Sequence, residues 1–386
     1  MTLRLRDFNW ISFVAMIALI VAGTTVIWSA GNARPEIRFH GMWISNLTTA
    51  AFGLVVYFVL AVCDYRKILG WCSPVAYVAA LVMLVAVLLF GSSVYGGRRW
   101  LWFFQPSEVA KLCVISFAAY LMGPARRRIG DGVGAFLTVS AVLGVPAVLI
   151  LAEPDLGTTL TLVPAVFVMM FVARVWRIGL VSILGVFALV AALLFGAVYE
   201  AAKPGVTEAR REAILRCVPL RPHQVRRVET FLFPDRDPRG AGYTLMQAKI
   251  SIGSGGLRGK GLGKGETNHL KYLPQSISMN DFIFCVWAEE MGFIGSLVLL
   301  ALYGALIVPG VWVAYRSTDV GGRLLALGIS TLVFAHVYVN IAMSLGLVPI
   351  TGLPLPFMSS GRTFLVVVMS GFGLIQSVSL HGKENE

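Results

Sequence analysis

The chain has 386 residues, of which 57% are hydrophobic and only 13% charged, with a mean hydropathy of +0.78. A soluble domain carries roughly 25% charged residues, so this composition excludes a water-exposed globule and indicates one integral membrane domain, residues 1–386, built from apolar helices. The net charge of +12 does not indicate nucleic acid, because the basic residues sit in loops beside apolar runs, where lipid headgroups or phosphates are the natural partners.

A bilayer span needs about 20 apolar residues. Ten are predicted, at 9–29, 44–63, 73–91, 107–123, 134–152, 157–173, 178–199, 296–315, 324–345 and 364–380. The run Phe8 to Ala30 follows Arg4 and Arg6, yet it exceeds the ~7–15 residues of a signal-peptide core, so it reads as the first span. With the N-terminus inside, the inner segments hold twelve cations: Arg4, Arg6, Arg66, Lys67, Arg126, Arg127, Arg128, Arg174, Arg177, Arg316, Arg323 and Lys383. The short outer loops hold five, Arg34, Arg38, Arg98, Arg99 and Arg362. The positive-inside rule therefore predicts a multi-pass protein of the cytoplasmic membrane with both termini cytoplasmic.

In the fourth span Glu108 and Lys111 stand at i, i+3 and share a helix face. Charges within a span are costly, so the pair reads as a structural ion pair, a polar cavity wall, or both. Glu153-Pro-Asp155-Leu-Gly157-Thr158 closes the fifth span on the outer side, where a solvated acidic end is the plain alternative to a binding role. The segment 200–281 is then a large extracytoplasmic loop between spans seven and eight; over 200–280 it carries fourteen Lys or Arg against seven Asp or Glu. Within it, 253–265 holds seven glycines in thirteen residues with Arg258, Lys260 and Lys264 interleaved. Glycines let backbone N–H groups approach phosphate oxygens, so the stretch reads either as a pyrophosphate cradle or as a flexible loop.

The apolar run Phe282 to Tyr315 has 34 residues, about 51 Å as helix, whereas the hydrocarbon core is about 30 Å. Phe282–Met291 is therefore expected as a separate short helix, with the break supplied by Gly292 to Gly295. Asp281 would open that helix, either as its N-cap or as a functional carboxylate. On a helix Glu289 projects about 80° round the axis from Asp281 and Glu290 about 180°, making Glu289 the better companion. His336 and Asn340, at i, i+4 in the ninth span, read as helix-bridging groups. The five cysteines show no metal spacing and no disulfide framework. No internal repeat is visible, and no acidic cluster resembles a metal cage, so no cofactor is expected, although a divalent cation is compatible with the chemistry.

These segments together resemble the RodA/FtsW/SpoVE family, in family order along nearly the whole chain. The matching pieces are Gly97-Arg98-Arg99-Trp100, Gln105-Pro-Ser-Glu108-Val-Ala-Lys111, Glu153-Pro-Asp155-Leu-Gly157-Thr158, Asp237-Pro-Arg-Gly240-Ala-Gly242-Tyr243, Gln247-Ala-Lys249, Asp281-Phe-Ile-Phe284, Glu289-Glu290-Met-Gly292 and Asn340 through Phe357. The Gly-Ala-Gly-Tyr and Gln-x-Lys pieces look more like RodA. The resemblance implies a polymerase of lipid II that works with a class B penicillin-binding protein, and it implies that Asp281 is the essential carboxylate. The donor would be a glycan on undecaprenyl pyrophosphate, and membrane lipid its surroundings. A glycosidase needs a second carboxyl group to protonate its leaving alcohol; pyrophosphate leaves readily and needs cations instead. Arg98, Arg99, Lys111, Lys260, Lys264 and Arg362 are candidates, with Glu108, Asp155, Glu289 and Ser359 as further substrate-binding residues.

Two stretches depart from the family pattern. Its Leu-Pro-Glu-x-His-Thr-Asp becomes Leu273-Pro-Gln275-Ser-Ile-Ser-Met-Asn280-Asp281, and its Ser-Tyr-Gly-Gly-Ser becomes Ser359-Ser360-Gly361-Arg362-Thr363. A lipid II flippase and a catalytically weak scaffold for a transpeptidase are the rival readings; a flippase predicts inverted repeats and broken mid-membrane helices.

Overall fold

The protein is described here by a computed structural model covering residues 7–32, 41–94, 97–101, 104–125, 132–153, 155–203, 205–218, 220, 222–237, 240–266 and 278–382. Arg4, Arg6, Arg34, Arg38, Arg126, Arg127, Arg128, Lys383 and the altered 273–277 stretch lie outside the described residues, as does the side chain of Arg98.

Helices occupy all ten predicted spans. They are α1 (Trp10–Asn32), α2 (Met42–Val62), α3 (Tyr65–Phe90), α4 (Pro106–Met122), α5 (Val133–Ala152), α6 (Leu156–Val172) and α7 (Arg177–Ala201), then, after the long loop, Ile283–Arg316, Val320–Ser344 and Arg362–His381. Eight of these are long and apolar enough to cross a membrane, while α4 and α6 have 17 residues each. The third helix begins at Tyr65 rather than at 73 because Asp64 caps it, accepting from Arg66 N at 2.9 Å, and it carries a π-turn at Ile68–Cys72. A two-stranded hairpin, β1 (Ser92–Val94) and β2 (Gly97–Trp100), joins α3 to α4 and is the one regular departure from an all-α description among the described residues.

The long connection is folded. Its described residues form α8 (Glu208–Arg216), α9 (Pro222–Leu232), a 3-10 turn at Pro234–Arg236 and α10 (Ala241–Ser254). Val198, Val218 and Val225 form a small apolar cluster that seats α9 on the end of α7. The remaining helices are α11 (Ile283–Arg316), α12 (Val320–Ser344) and α13 (Arg362–His381).

The bundle is layered by contact. α12 and α13 are mostly buried, whereas α7 exposes nearly every apolar side chain, as a lipid-facing helix does. Small residues set the closest approaches. A Cβ on Gly23 of α1 would lie 2.6 Å from Met358 Cα, and one on Gly373 of α13 would lie 2.7 Å from Tyr57 O of α2.

The break expected from the length of the 282–315 run lies at Gly292, whose φ of 70° and ψ of −165° interrupt α11. A break at this point releases two helical hydrogen bonds, those from residues 293 and 294 to residues 289 and 290. The glycine-rich stretch takes both sides of them. Lys260 N and Gly261 N donate to the carbonyls of Glu289 and Glu290, each at 2.9 Å. Phe293 N and Ile294 N donate to Gly256 O and Leu257 O, at 2.8 and 3.1 Å. Buried backbone groups must be paired, so the loop makes the break tolerable. Only glycine fits the contact: a Cβ on Gly259 (φ 76°) would lie 2.1 Å from Glu290 O, and one on Gly292 would lie 2.3 Å from Gly259 N.

Candidate active site

Asp281 sits in the turn that enters α11. The N-cap of α11 is Phe282, with no side-chain capping bond, so the carboxylate of Asp281 is not used as the cap that its position suggested. The turn is gripped from two directions. Asn340 of α12 donates Nδ2 to the main-chain carbonyl of Asp281 at 2.8 Å and to Leu353 O at 2.6 Å. Ser359 donates Oγ to Asn280 O at 2.6 Å while accepting from Leu355 N at 2.8 Å. Gly352 lies beneath the carboxylate: a Cβ there would be 3.5 Å from Asp281 Oδ2, and its φ of 75° favours glycine.

The two stretches that depart from the family pattern meet at this turn. Ser360 Oγ donates to Asn280 Oδ1 at 2.5 Å, and Ser360 N donates to Met279 O at 3.2 Å. The altered residues are thus partners of one another.

The charges that act on Asp281 come from three other elements: Arg99 on β2, Arg227 on α9 and Asp155 at the start of α6. Burial raises its pKa, Arg99 and Arg227 draw it down, Asp155 pushes it up, and the balance stands at about 6. Arg227 is itself held below its ordinary value by burial and by the neighbouring Arg99. Nothing in the sequence singles it out, because it is one of many cations in a polar loop helix. Arg99 donates Nε to Glu153 O at 3.3 Å. Glu153 is fully buried, and burial with the neighbouring Asp155 charge lifts it to about 8. Asp155 caps α6, accepting from Thr158 N at 3.1 Å and Thr158 Oγ1 at 2.9 Å, and it accepts from Gln105 Nε2 at 3.3 Å.

Glu108 and Lys111 form the expected pair, with Lys111 Nζ 2.7 Å from Glu108 Oε2 and both side chains buried. Lys111 has a second partner. His336 Nδ1 lies 2.9 Å from Leu332 O, so the hydrogen-bond network assigns Nδ1 as donor and leaves Nε2 to accept from Lys111 Nζ at 2.9 Å. Phe364 stacks on the imidazole at 5.0 Å between centroids and lies 5.1 Å from Lys111 Nζ. Lys111 is therefore enclosed by Glu108, His336 and Phe364. Its link to Asp281 runs along α12, where His336 holds Lys111 and Asn340 holds the Asp281 turn.

Glu289 is buried, and it accepts from Lys260 Nζ and Glu266 N at 2.9 Å each and from Ser251 Oγ at 3.2 Å; it is not among the charges that act on Asp281. A buried carboxylate needs such partners, and the helix break turns it toward the glycine-rich loop. Lys260 is correspondingly tied to Glu289, and its N–H and that of Gly261 close the α11 break. Lys264 and Arg362 are exposed, with no carboxylate within ion-pair distance among the described residues.

Residues 9–384 match the family of FtsW, RodA and SpoVE, described as cell cycle proteins. The chain is 36% identical to the peptidoglycan glycosyltransferase MrdB of Escherichia coli K12, over 95% of this chain and 92% of that protein. It is 29% identical to stage V sporulation protein E of Bacillus subtilis, over 99% of this chain and 100% of that one. The fold is similar to the rod-shape-determining protein RodA of Thermus thermophilus, with a TM-score of 0.68, 27% identity and 98% of each chain covered. It is also similar to a chain from a structure described as "Structural coordination of polymerization and crosslinking by a peptidoglycan synthase complex", with a TM-score of 0.74, 28% identity, and 98% of this chain and 99% of that one covered.

Proposed function

Because the chain belongs to the FtsW/RodA/SpoVE family of cell cycle proteins, we propose that it is a peptidoglycan glycosyltransferase that polymerises lipid II at the outer face of the cytoplasmic membrane. The observation that carries the reading is the setting of Asp281: a carboxylate poised at about 6, in a turn fixed by Asn340 and Ser359, with Arg99 and Arg227 acting on it. A general base serves best when its pKa lies near the working pH.

The acceptor's sugar hydroxyl attacks the anomeric carbon of the donor glycan. Asp281 takes the hydroxyl proton as the new carbon–oxygen bond forms. The bond from the anomeric carbon to the pyrophosphate oxygen breaks, and undecaprenyl pyrophosphate leaves with the electron pair. Arg99 and Arg227 supply the positive charge that the leaving group needs, which a single carboxylate cannot. The enclosed Lys111 supports this end of the bundle through His336 rather than by free access to the phosphates.

A class B penicillin-binding protein fits as partner, since one structural relative comes from a complex of polymerisation and crosslinking. Purified protein incubated with lipid II, with products resolved on a gel, tests the activity. Ladders of glycan strands that vanish in Asp281→Asn are expected. Absence of strands from a folded, monodisperse preparation supplied with its partner would overturn the reading in favour of transport or scaffolding.

A further inference from the structure

Glu153 is a buried carboxyl group that the transfer reaction does not use. It follows α5 directly, and its main chain is fixed: its N–H donates to Ile150 O at 3.1 Å, and its carbonyl accepts from Arg99 Nε at 3.3 Å. Its side chain is treated differently. The residue is 0% exposed, and neither carboxyl oxygen has a hydrogen-bond partner among the described residues. Asp155, two residues on, is the contrast. It is nearly as buried, at 5%, yet it accepts from Thr158 N, Thr158 Oγ1 and Gln105 Nε2.

Three donors sustain a charged carboxylate, whereas a buried carboxyl group with no donor is costly to ionise and keeps its proton. Burial and the Asp155 charge raise Glu153 to about 8, against a downward pull from Arg99. The neutral form matters because of its neighbours. The charged groups that act on Glu153 are Asp155 and Arg99, and both also act on Asp281, together with Arg227. With Glu153 neutral, the cations Arg99 and Arg227 balance the anions Asp155 and Asp281. An ionised Glu153 would add a third anion. It would also compete with Asp281 for the guanidinium of Arg99, and the departing pyrophosphate would meet a more negative cluster.

We infer that Glu153 is a positioning residue for Arg99: its main-chain carbonyl holds the guanidinium, and its side chain, kept as the neutral acid, lets that charge act on Asp281 and on the leaving pyrophosphate. When Glu153 gives its proton to water, the new carboxylate draws Arg99 toward itself and transfer slows. The role rests on the polymerase reading of the site; the neutral state of Glu153 does not.

Two measurements on the full chain test this. Infrared spectroscopy without substrate reads the carboxyl group itself. At pH 7 the parent spectrum minus that of Glu153→Gln should show the carbonyl band of a protonated carboxylic acid. That band should give way to a carboxylate band as the pH rises through about 8. Polymerisation of lipid II reads the role. The parental rate at pH 9 should be about a tenth of that at pH 7, as one ionisation near 8 requires. In Glu153→Gln, which cannot ionise, the ratio of the two rates should be close to one, whatever the absolute rate. Glu153→Ala should lose the same alkaline limb, which keeps the test open if the glutamine variant does not fold. A purely structural Glu153 would move stability and leave that ratio at its parental value. A carboxylate band already present at pH 7, or an alkaline limb that survives in both variants, would overturn the inference. No polymerisation at any pH, with the protonated band in place, would overturn the polymerase reading and with it the role, while the neutral state of Glu153 would stand.

Discussion

Asn340 holds the main-chain carbonyl of Asp281 by a 2.8 Å hydrogen bond from its side-chain amide, and the same nitrogen holds Leu353 O at 2.6 Å. One buried amide thus joins the turn bearing the carboxylate to the segment lying beneath it. Asn340→Ala should cost about 1–3 kcal/mol of stability, the usual effect of stranding buried polar groups. Because displacement of a reacting group by about 1 Å can cost roughly 10²-fold, glycan synthesis should fall by that order through kcat, with KM little changed. Asn340→Asp, which sets an acceptor against two carbonyls, should be worse than Asn340→Ala. An aspartate variant as active as the parent would exclude a positioning role.

The Asp281 pKa of about 6 sets a pH profile. A base must be ionised, so the rate should be half-maximal near pH 6 on the acid limb and fall about tenfold for each unit below it. The stability sign is opposite. The folded carboxyl binds its proton more tightly than an unfolded aspartate of about 3.9, so its contribution is present below that value and is lost as pH rises through about 6. Asp281→Asn should therefore lose at least about 10²-fold in polymerisation and unfold at a higher temperature than the parent at pH 7. An acid limb near pH 4, or a tenth of parental activity in Asp281→Asn, would remove Asp281 from the role of base.

Lys111 touches both Glu108 and His336, so charge reversal cannot simply restore what single substitution breaks. Lys111→Met strands a buried carboxylate and should cost about 3–5 kcal/mol. Exchanging the two residues rebuilds the ion pair but sets a carboxylate against an imidazole nitrogen that accepts. The swapped protein should regain part of its thermal stability and little activity. Full activity after the swap would make the pair interchangeable and therefore only structural.

Much of this is legible in the chain itself. Hydropathy locates a helix at each of the ten predicted positions, eight of them long and apolar enough to cross a membrane, because a bilayer imposes length and apolarity together, and the excess length of 282–315 locates the α11 break for the same reason. His336 and Asn340 read correctly as bridging groups, since a polar side chain inside a span must find a partner. Their partners are not legible. Neither is Arg227, whose approach to Asp281 depends on how the long loop folds back, and loop folding leaves no periodic trace in sequence. The stretch 253–265 is ambiguous for a related reason: glycine content reports backbone freedom, not what the backbone approaches. Here it approaches the broken helix.

The contact between Ser360 and Asn280 predicts coupling between the two altered stretches. Asn280→Ala and Ser360→Ala should each destabilise by about 1 kcal/mol. The double variant should be less unstable than their sum, with an interaction energy of about 0.5–3 kcal/mol for residues in contact. Activity should show the same non-additivity if the pair serves to hold the Asp281 turn. Strict additivity in thermal unfolding would mean that the two stretches diverged independently.

Two glycines of α11 separate the break from ordinary helix. Gly292 has a positive φ and lies against the backbone of Gly259, so Gly292→Ala meets both strain and a 2.3 Å contact with Gly259 N. Gly304, further along the same helix, faces open space: an added methyl would meet nothing within 4 Å. Helix propensity favours alanine by about 1 kcal/mol at Gly304, but not at Gly292, whose φ/ψ are non-helical. Gly304→Ala should therefore be neutral or stabilising, while Gly292→Ala should unfold at a clearly lower temperature and lose activity, because the loop that closes the break is pushed off residues 289–294 of the helix that Asp281 precedes. Gly259→Ala should reproduce the Gly292→Ala defect from the other side of the contact, since its methyl would lie 2.1 Å from Glu290 O. If Gly292→Ala and Gly304→Ala behaved alike, α11 would tolerate a continuous helix and the break would not be what places Asp281.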